Sequence, residues 1–93
     1  MINRTTIDNA VIASIKRIAV AMGENGALVK KTTKLYEELG FVLAFRRELA
    51  KPLNKIIRKY GGVIISKGEA GKLNTVNDAC VLVVKRVNNK KDK

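Results

Sequence analysis

Six basic side chains, Arg46, Arg47, Lys51, Lys55, Arg58 and Lys59, fall within fourteen consecutive residues, with Glu48 as their one acidic neighbour. Arg47, Lys51, Lys55 and Arg58 recur at intervals of three and four, which gathers them on one side of a helix. Such a row suits phosphate neutralisation, because each cation that meets a phosphate releases a condensed counterion. Lys67 and Lys72 follow, so that residues 46–72 hold eight basic groups against Glu48 and Glu69. The whole chain carries 19 Lys and Arg against 8 Asp and Glu, with no His, for a formal charge of +11. Self-repulsion on this scale opposes compaction, and a face built for solubility alone would mix its signs. The pattern therefore points to a polyanionic partner.

Other chemistry fails for want of parts. Without His, and with Cys80 as the single cysteine, zinc sites and Ser–His or Cys–His nucleophile pairs cannot be assembled. Cys80 lies in the apolar run 80–84 and reads as a buried, inert thiol. Glu37, Glu38 and Glu48 are the only clustered carboxylates, and Glu37 and Glu38 point to different sides of a helix, which disfavours paired acid–base work. The stretch from Gly68 to Leu73 approaches a phosphate-binding loop, but Ser66 stands where its first glycine belongs and Leu73 where Ser or Thr is needed. A non-enzymatic chain without metal or cofactor is expected, with Lys67 and Lys72 as contacts to a phosphate backbone. Tyr36, Phe41, Phe45 and Tyr60 are the only aromatics, and they are expected mostly on apolar helical faces. Single-strand readers display exposed aromatics for stacking, so contact with a duplex backbone is favoured.

One domain over residues 1–87 suits this length, followed by a frayed basic tail over 88–93. Thr5-Thr6-Ile7-Asp8 has the spacing of a capping box with Thr5 as N-cap. Ile7, Val11, Ile15, Ile18 and Met22 then mark the buried stripe of a first helix that stops at Gly23. Ile12, Ala19 and Val20 lie off that stripe, which means either a sandwiched helix or one that faces a second copy of the chain. A second helix is expected from Ala27 to Leu39, closed by Gly40. Lys30, Lys31 and Lys34 in its first half and Glu37 and Glu38 in its last turn would oppose its dipole. Either these lysines form a solvated face or they serve a ligand.

The third helix carries the basic row. Val42, Phe45, Leu49, Leu53, Ile56 and Tyr60 fall within about 80° at helical period, with Arg47, Lys51, Lys55 and Arg58 opposite. Pro52 interrupts it, predicting a kink or two short coaxial helices. Beyond Gly61-Gly62, the β-branched runs 63–65 and 79–87 predict an antiparallel β-hairpin with a basic tip at Lys67 and Lys72. The expected class is α+β, three helices followed by a hairpin. Over residues 5–87 this order resembles the winged-helix DNA-binding proteins. The resemblance is carried by Tyr36-Glu37-Glu38-Leu39-Gly40-Phe41, then the basic helix, then Lys67–Lys72 as a wing. It implies a third helix in a major groove and a wing on flanking backbone.

The leading expectation is a binding protein for duplex DNA, or structured RNA, such as a small transcriptional regulator or a packaging factor. Its contacts would be Arg46, Arg47, Lys51, Lys55, Arg58 and Lys59, then Lys67 and Lys72, with Lys30, Lys31 and Lys34 added. The alternative is an inhibitor or adaptor that docks on an acidic protein, for which Phe41 would supply the apolar hot spot if exposed. A third reading puts the basic helix on a membrane surface, against which the lack of Trp argues. Absence of a long apolar run argues against a membrane span, and an intracellular place, cytoplasmic or nucleoid-associated, is expected.

Overall fold

The computed structural model describes residues 4–23 and 29–88. Among these described residues there are five helices: α1 (Arg4–Ala21), α2 (Leu43–Glu48), α3 (Ala50–Lys59), α4 (Lys67–Gly71) and α5 (Val76–Asn88). The two long helices, α1 and α5, pack against each other, α3 lies against both, and α2 packs on α4. Ile7, Val11, Ile15 and Ala19 of α1 meet Val76, Ala79, Cys80, Val83 and Val87 of α5 in one core with Leu53 and Ile57 of α3. Ala19, off the expected stripe, is thus buried, whereas Val20 is exposed. Thr5 lies inside α1 rather than capping it. The Asp8 carboxylate, instead of reaching back, pairs with Lys31 Nζ at 2.7 Å and with Arg4 Nε at 3.5 Å.

The expected β-hairpin is absent, and with it the α+β class and the winged-helix resemblance. Among the described residues there is no strand, and the only β-pairing is the isolated antiparallel bridge between Lys34 and Thr75. Two capping boxes turn this region into helix. Ser66 Oγ accepts from the Glu69 N–H at 3.1 Å while Glu69 Oε1 accepts from the Ser66 N–H at 3.0 Å. Thr75 and Asp78 repeat the exchange at 3.1 Å in both directions, and Asp78 Oδ2 also accepts from the Asn74 N–H. Such caps are worth about 0.5–2 kcal/mol each. Burial of the stripe Val76, Ala79, Cys80, Val83 and Val87 does the rest. Valine's strand preference spans only about 1 kcal/mol and yields to context. The tip that would have been a wing is the short helix α4.

The second expected helix also gives way. Its first residues, 27 and 28, lie outside the described part, and 29–40 form a chain of turns. Gly40 does act as a stop: with φ at 71° it donates to Tyr36 O at 2.9 Å, while Phe41 N–H reaches Leu35 O at 2.9 Å. The two bonds nest around the left-handed glycine, the inner spanning four residues and the outer six, and the side chains of Leu35 and Phe41 at the outer bond are buried. Earlier in the segment, Thr33 Oγ1 takes the Lys30 N–H, and Thr33 O takes the N–H of Val76. The backbone is tied to the start of α5 instead of coiling on itself. Because no helix forms across Lys30, Lys31 and Lys34, no macrodipole opposes them.

The third expected helix is two helices that meet at Leu49. Pro52, third residue of α3, cannot donate to Glu48 O, and its ring crowds that carbonyl. Leu49 N–H turns to Arg46 O at 3.1 Å, and regular bonding resumes with Leu53 N–H on Leu49 O at 3.0 Å. The apolar register expected to run unbroken from Val42 to Tyr60 splits there. Leu49, Leu53 and Ile57 are buried, yet Val42, Leu43 and Phe45 are 47%, 54% and 44% exposed, and Phe41 takes the buried place. The chain leaves α3 through Gly61, at φ 75°. At Gly62 a Cβ would stand 2.5 Å from Arg86 O, so only glycine lets the two backbones approach.

Among the described residues no helix is long and apolar enough to cross a membrane. Of the expected tail, Asn88 is the last residue of α5 and the remainder lies outside the described residues.

Candidate functional site

α3 positions the largest group of candidate contacts. Lys51, Lys55, Arg58 and Lys59 are all exposed and fall within about 100° at 3.6 residues per turn, opposite Leu53 and Ile57. Among the described residues Lys51, Lys55 and Arg58 have no ion-pair partner. Lys59 Nζ stands 5.9 Å from the Tyr60 ring centre. The helix that carries them is clamped from beneath by Asn54. Its side-chain amide donates to Ile65 O at 2.9 Å and its carbonyl accepts from Ile65 N–H at 2.7 Å. That exchange ties α3 to the stretch leading into α4.

Beside this clamp lies a cleft of about 220 Å³ lined by Glu48, Lys51, Asn54, Ile65 and Lys67. Lys67, from α4, is thus brought next to Lys51, but its Nζ pairs with Glu48 Oε2 at 3.3 Å. Lys72, the C-cap of α4, is exposed. Arg47 is exposed at its head while its stem leans on α4: a Cβ at Gly71 would stand 3.0 Å from Arg47 Cγ.

Arg46 is not available in the same way. Its Nη1 donates to Phe41 O at 2.7 Å, its Nε to Gly71 O at 3.4 Å, and its guanidinium stands 5.7 Å from the Tyr36 ring centre. It holds α2 to α4 and to the turn that ends at Phe41. Lys31 is engaged by Asp8, and Lys34 Nζ lies 3.4 Å from Glu37 Oε1. Lys30 is exposed within the turn segment, apart from α3. Of the eleven residues read from the sequence, the structure therefore gathers four on α3, sets Arg47, Lys67 and Lys72 on the neighbouring α2–α4 pair, and commits Arg46 and Lys31 to the fold.

Cys80 is fully buried, 3.9 Å from Asp8 O, and burial, reinforced by the Asp8 charge, pushes its thiol up to about 11. Glu69 sits below the usual carboxylate range because it accepts the Ser66 N–H and faces Arg86. Arg86 bonds Glu69 directly and also donates to Ile64 O at 3.1 Å, fastening α5 to α4. Among the described residues no group of His, Cys, Asp or Glu could hold a metal ion.

Sequence reasoning missed two residues here. Tyr36, expected on an apolar helical face, is 59% exposed because its helix does not exist. Asn54 gave no sign of its clamp, since its partner is a backbone eleven residues away. No protein-family model matches the chain, and comparison with curated proteins and with solved structures finds none similar to it.

Proposed function

We propose that the chain is a non-enzymatic binder of duplex nucleic acid that contacts the phosphate backbone through the solvent face of α3. The observation that carries this reading is the set Lys51, Lys55, Arg58 and Lys59, held on one helix face with no ion pair to the first three among the described residues. Arg47 and Lys72 extend the contact. Arg46 makes no contact with the duplex backbone, because its Nη1 and Nε already donate to two carbonyls and hold it against the fold. Contacts of this kind fix position on a duplex and carry no sequence information. Base preference is therefore no part of the reading.

Fluorescence anisotropy with a random duplex of ~20 base pairs tests it. Six phosphate contacts predict an affinity about a thousandfold weaker at ~200 mM than at ~50 mM salt. No binding at the lower salt would defeat the proposal.

One observation favours the acidic-protein alternative. Phe41, its expected hot spot, is buried, but Val42 at the N-cap of α2 and Leu43 and Phe45 on it stand exposed beside Arg47. Exposed apolar residues next to cations suit a partner segment that is both apolar and acidic. On that reading Phe45→Ser weakens partner binding and leaves duplex affinity unchanged.

A further inference from the structure

Tyr36 has a setting that the backbone-binding role of α3 leaves unused. Its segment is pinned on both sides: Leu35 N–H donates to Asn74 O at 2.8 Å, and Gly40 N–H donates to Tyr36 O at 2.9 Å. Arg46 stands over the ring at 5.7 Å and is itself fixed by Phe41 O and Gly71 O. Tyr36 remains 59% exposed, and it lines a cleft of about 440 Å³ together with Lys34, Glu37, Arg46, Asn74 and Thr75.

We infer that this cleft takes one unpaired nucleotide, its base stacked on Tyr36 and its phosphate facing Arg46 and Lys34. Stacking suits any base, because every base has a π-face. An exposed aromatic ring is normally free to turn, whereas this one is held by a guanidinium that cannot leave without stranding two carbonyls. Ordering cost on binding is correspondingly small. Two cations against the single carboxylate of Glu37 leave the cleft positive, and the Asn74 amide and Thr75 hydroxyl supply neutral polar groups at its wall. The volume matches a small ligand rather than a duplex.

The inference rests on the nucleic-acid reading for its natural source, which is an unpaired end or bulge beside the duplex held by α3. A free mononucleotide offers the same chemistry, and the test separates the two. The chain has two tyrosines and no tryptophan, so 3-fluorotyrosine labelling gives two ¹⁹F resonances, and Tyr60→Phe identifies that of Tyr36. Titration with a duplex bearing a three-nucleotide overhang is expected to move the Tyr36 resonance, and a blunt duplex should leave the Tyr36 resonance unmoved. Tyr60, beside Lys59, can respond to either duplex. Movement with cytidine monophosphate at lower concentration than with the overhang supports the site with a free nucleotide as its ligand. Equal movement with inorganic phosphate alone, or none with any probe, overturns the inference.

Tyr36→Ala should weaken overhang binding roughly five- to a hundredfold, down to the blunt-duplex level, while Tyr36→Phe retains it. The Tyr60 resonance reports that the variants fold. Failure of the α3 reading looks different: Lys51, Lys55 and Arg58 changed together to Gln would leave blunt-duplex affinity intact. The Tyr36 response to the mononucleotide is expected to survive that triple change.

Discussion

α2 and α3 are neighbours in the chain, the first with two arginines and the second with three lysines and an arginine, and they use that charge differently. α3 buries Ala50, Leu53 and Ile57, so its cations have nothing to hold and face solvent. α2 buries none of its six residues and stays in place because Arg46 reaches inward to two carbonyls and Tyr36. A helix with an apolar stripe can spend its charges on a ligand. A helix without one needs at least one of them, here Arg46, for its own attachment. One unbroken basic row in the sequence thus becomes a binding face and a structural brace, divided at Leu49.

The largest effect expected from this contrast is at the stripe of α3. Leu53→Ala should cost about 2–5 kcal/mol of unfolding free energy, read from urea denaturation. The equivalent truncation on α2, Phe45→Ala, should stay within about 1 kcal/mol because the ring is already 44% exposed. Next comes the brace itself. Arg46→Gln should destabilise by about 1.5–3 kcal/mol through lost charge-assisted bonds. Lys51→Gln should remain within about 0.5 kcal/mol. Equal losses from those two substitutions would erase the distinction between the helices.

Asn54→Ala comes third. It removes both bonds to Ile65 and should cost about 1–2 kcal/mol, with faster amide exchange at Ile65 as its local signature. The smallest effect belongs to Glu69. Its folded-state affinity for protons is lowered by the Ser66 N–H and then by Arg86, so its contribution is complete above the ordinary value of 4.5. That contribution is lost as pH falls through the lower folded value. Urea midpoints measured between about pH 6 and about pH 3 should therefore fall less in Glu69→Gln than in the unaltered chain.

How much of this was legible in the sequence depends on whether the signal was local. The stripe of α1, the left-handed turn at Gly40 though not the helix it was expected to close, the burial of Cys80 and the solvent face of α3 all follow from periodicity or from a single residue's backbone preference. Two capping boxes, at Ser66–Glu69 and Thr75–Asp78, stood in the sequence as plainly as the spacing at Thr5–Asp8, yet valine-rich runs read as strands. The outcome reversed both expectations: the first two cap helices, and Thr5 lies within one. What decided it was the burial of α5 against α1, a long-range fact. The lost second helix had the same cause, since Thr33 and Lys31 give their carbonyls to the start of α5. The inward turn of Arg46 was equally hidden, because its acceptors are the carbonyls of Phe41 and Gly71, which no side-chain pattern announces.

The measurement that tests the division between the helices most directly is the salt dependence of duplex binding in two variants. With Lys51, Lys55 and Arg58 changed together to Gln, the slope of log affinity against log salt should become shallower by about 2.7. The thermal midpoint should hardly move. Arg46→Gln should lower the thermal midpoint and leave that slope unchanged. A triple variant that keeps the full slope, or an Arg46 variant that loses as much slope per charge without loss of stability, would contradict the account.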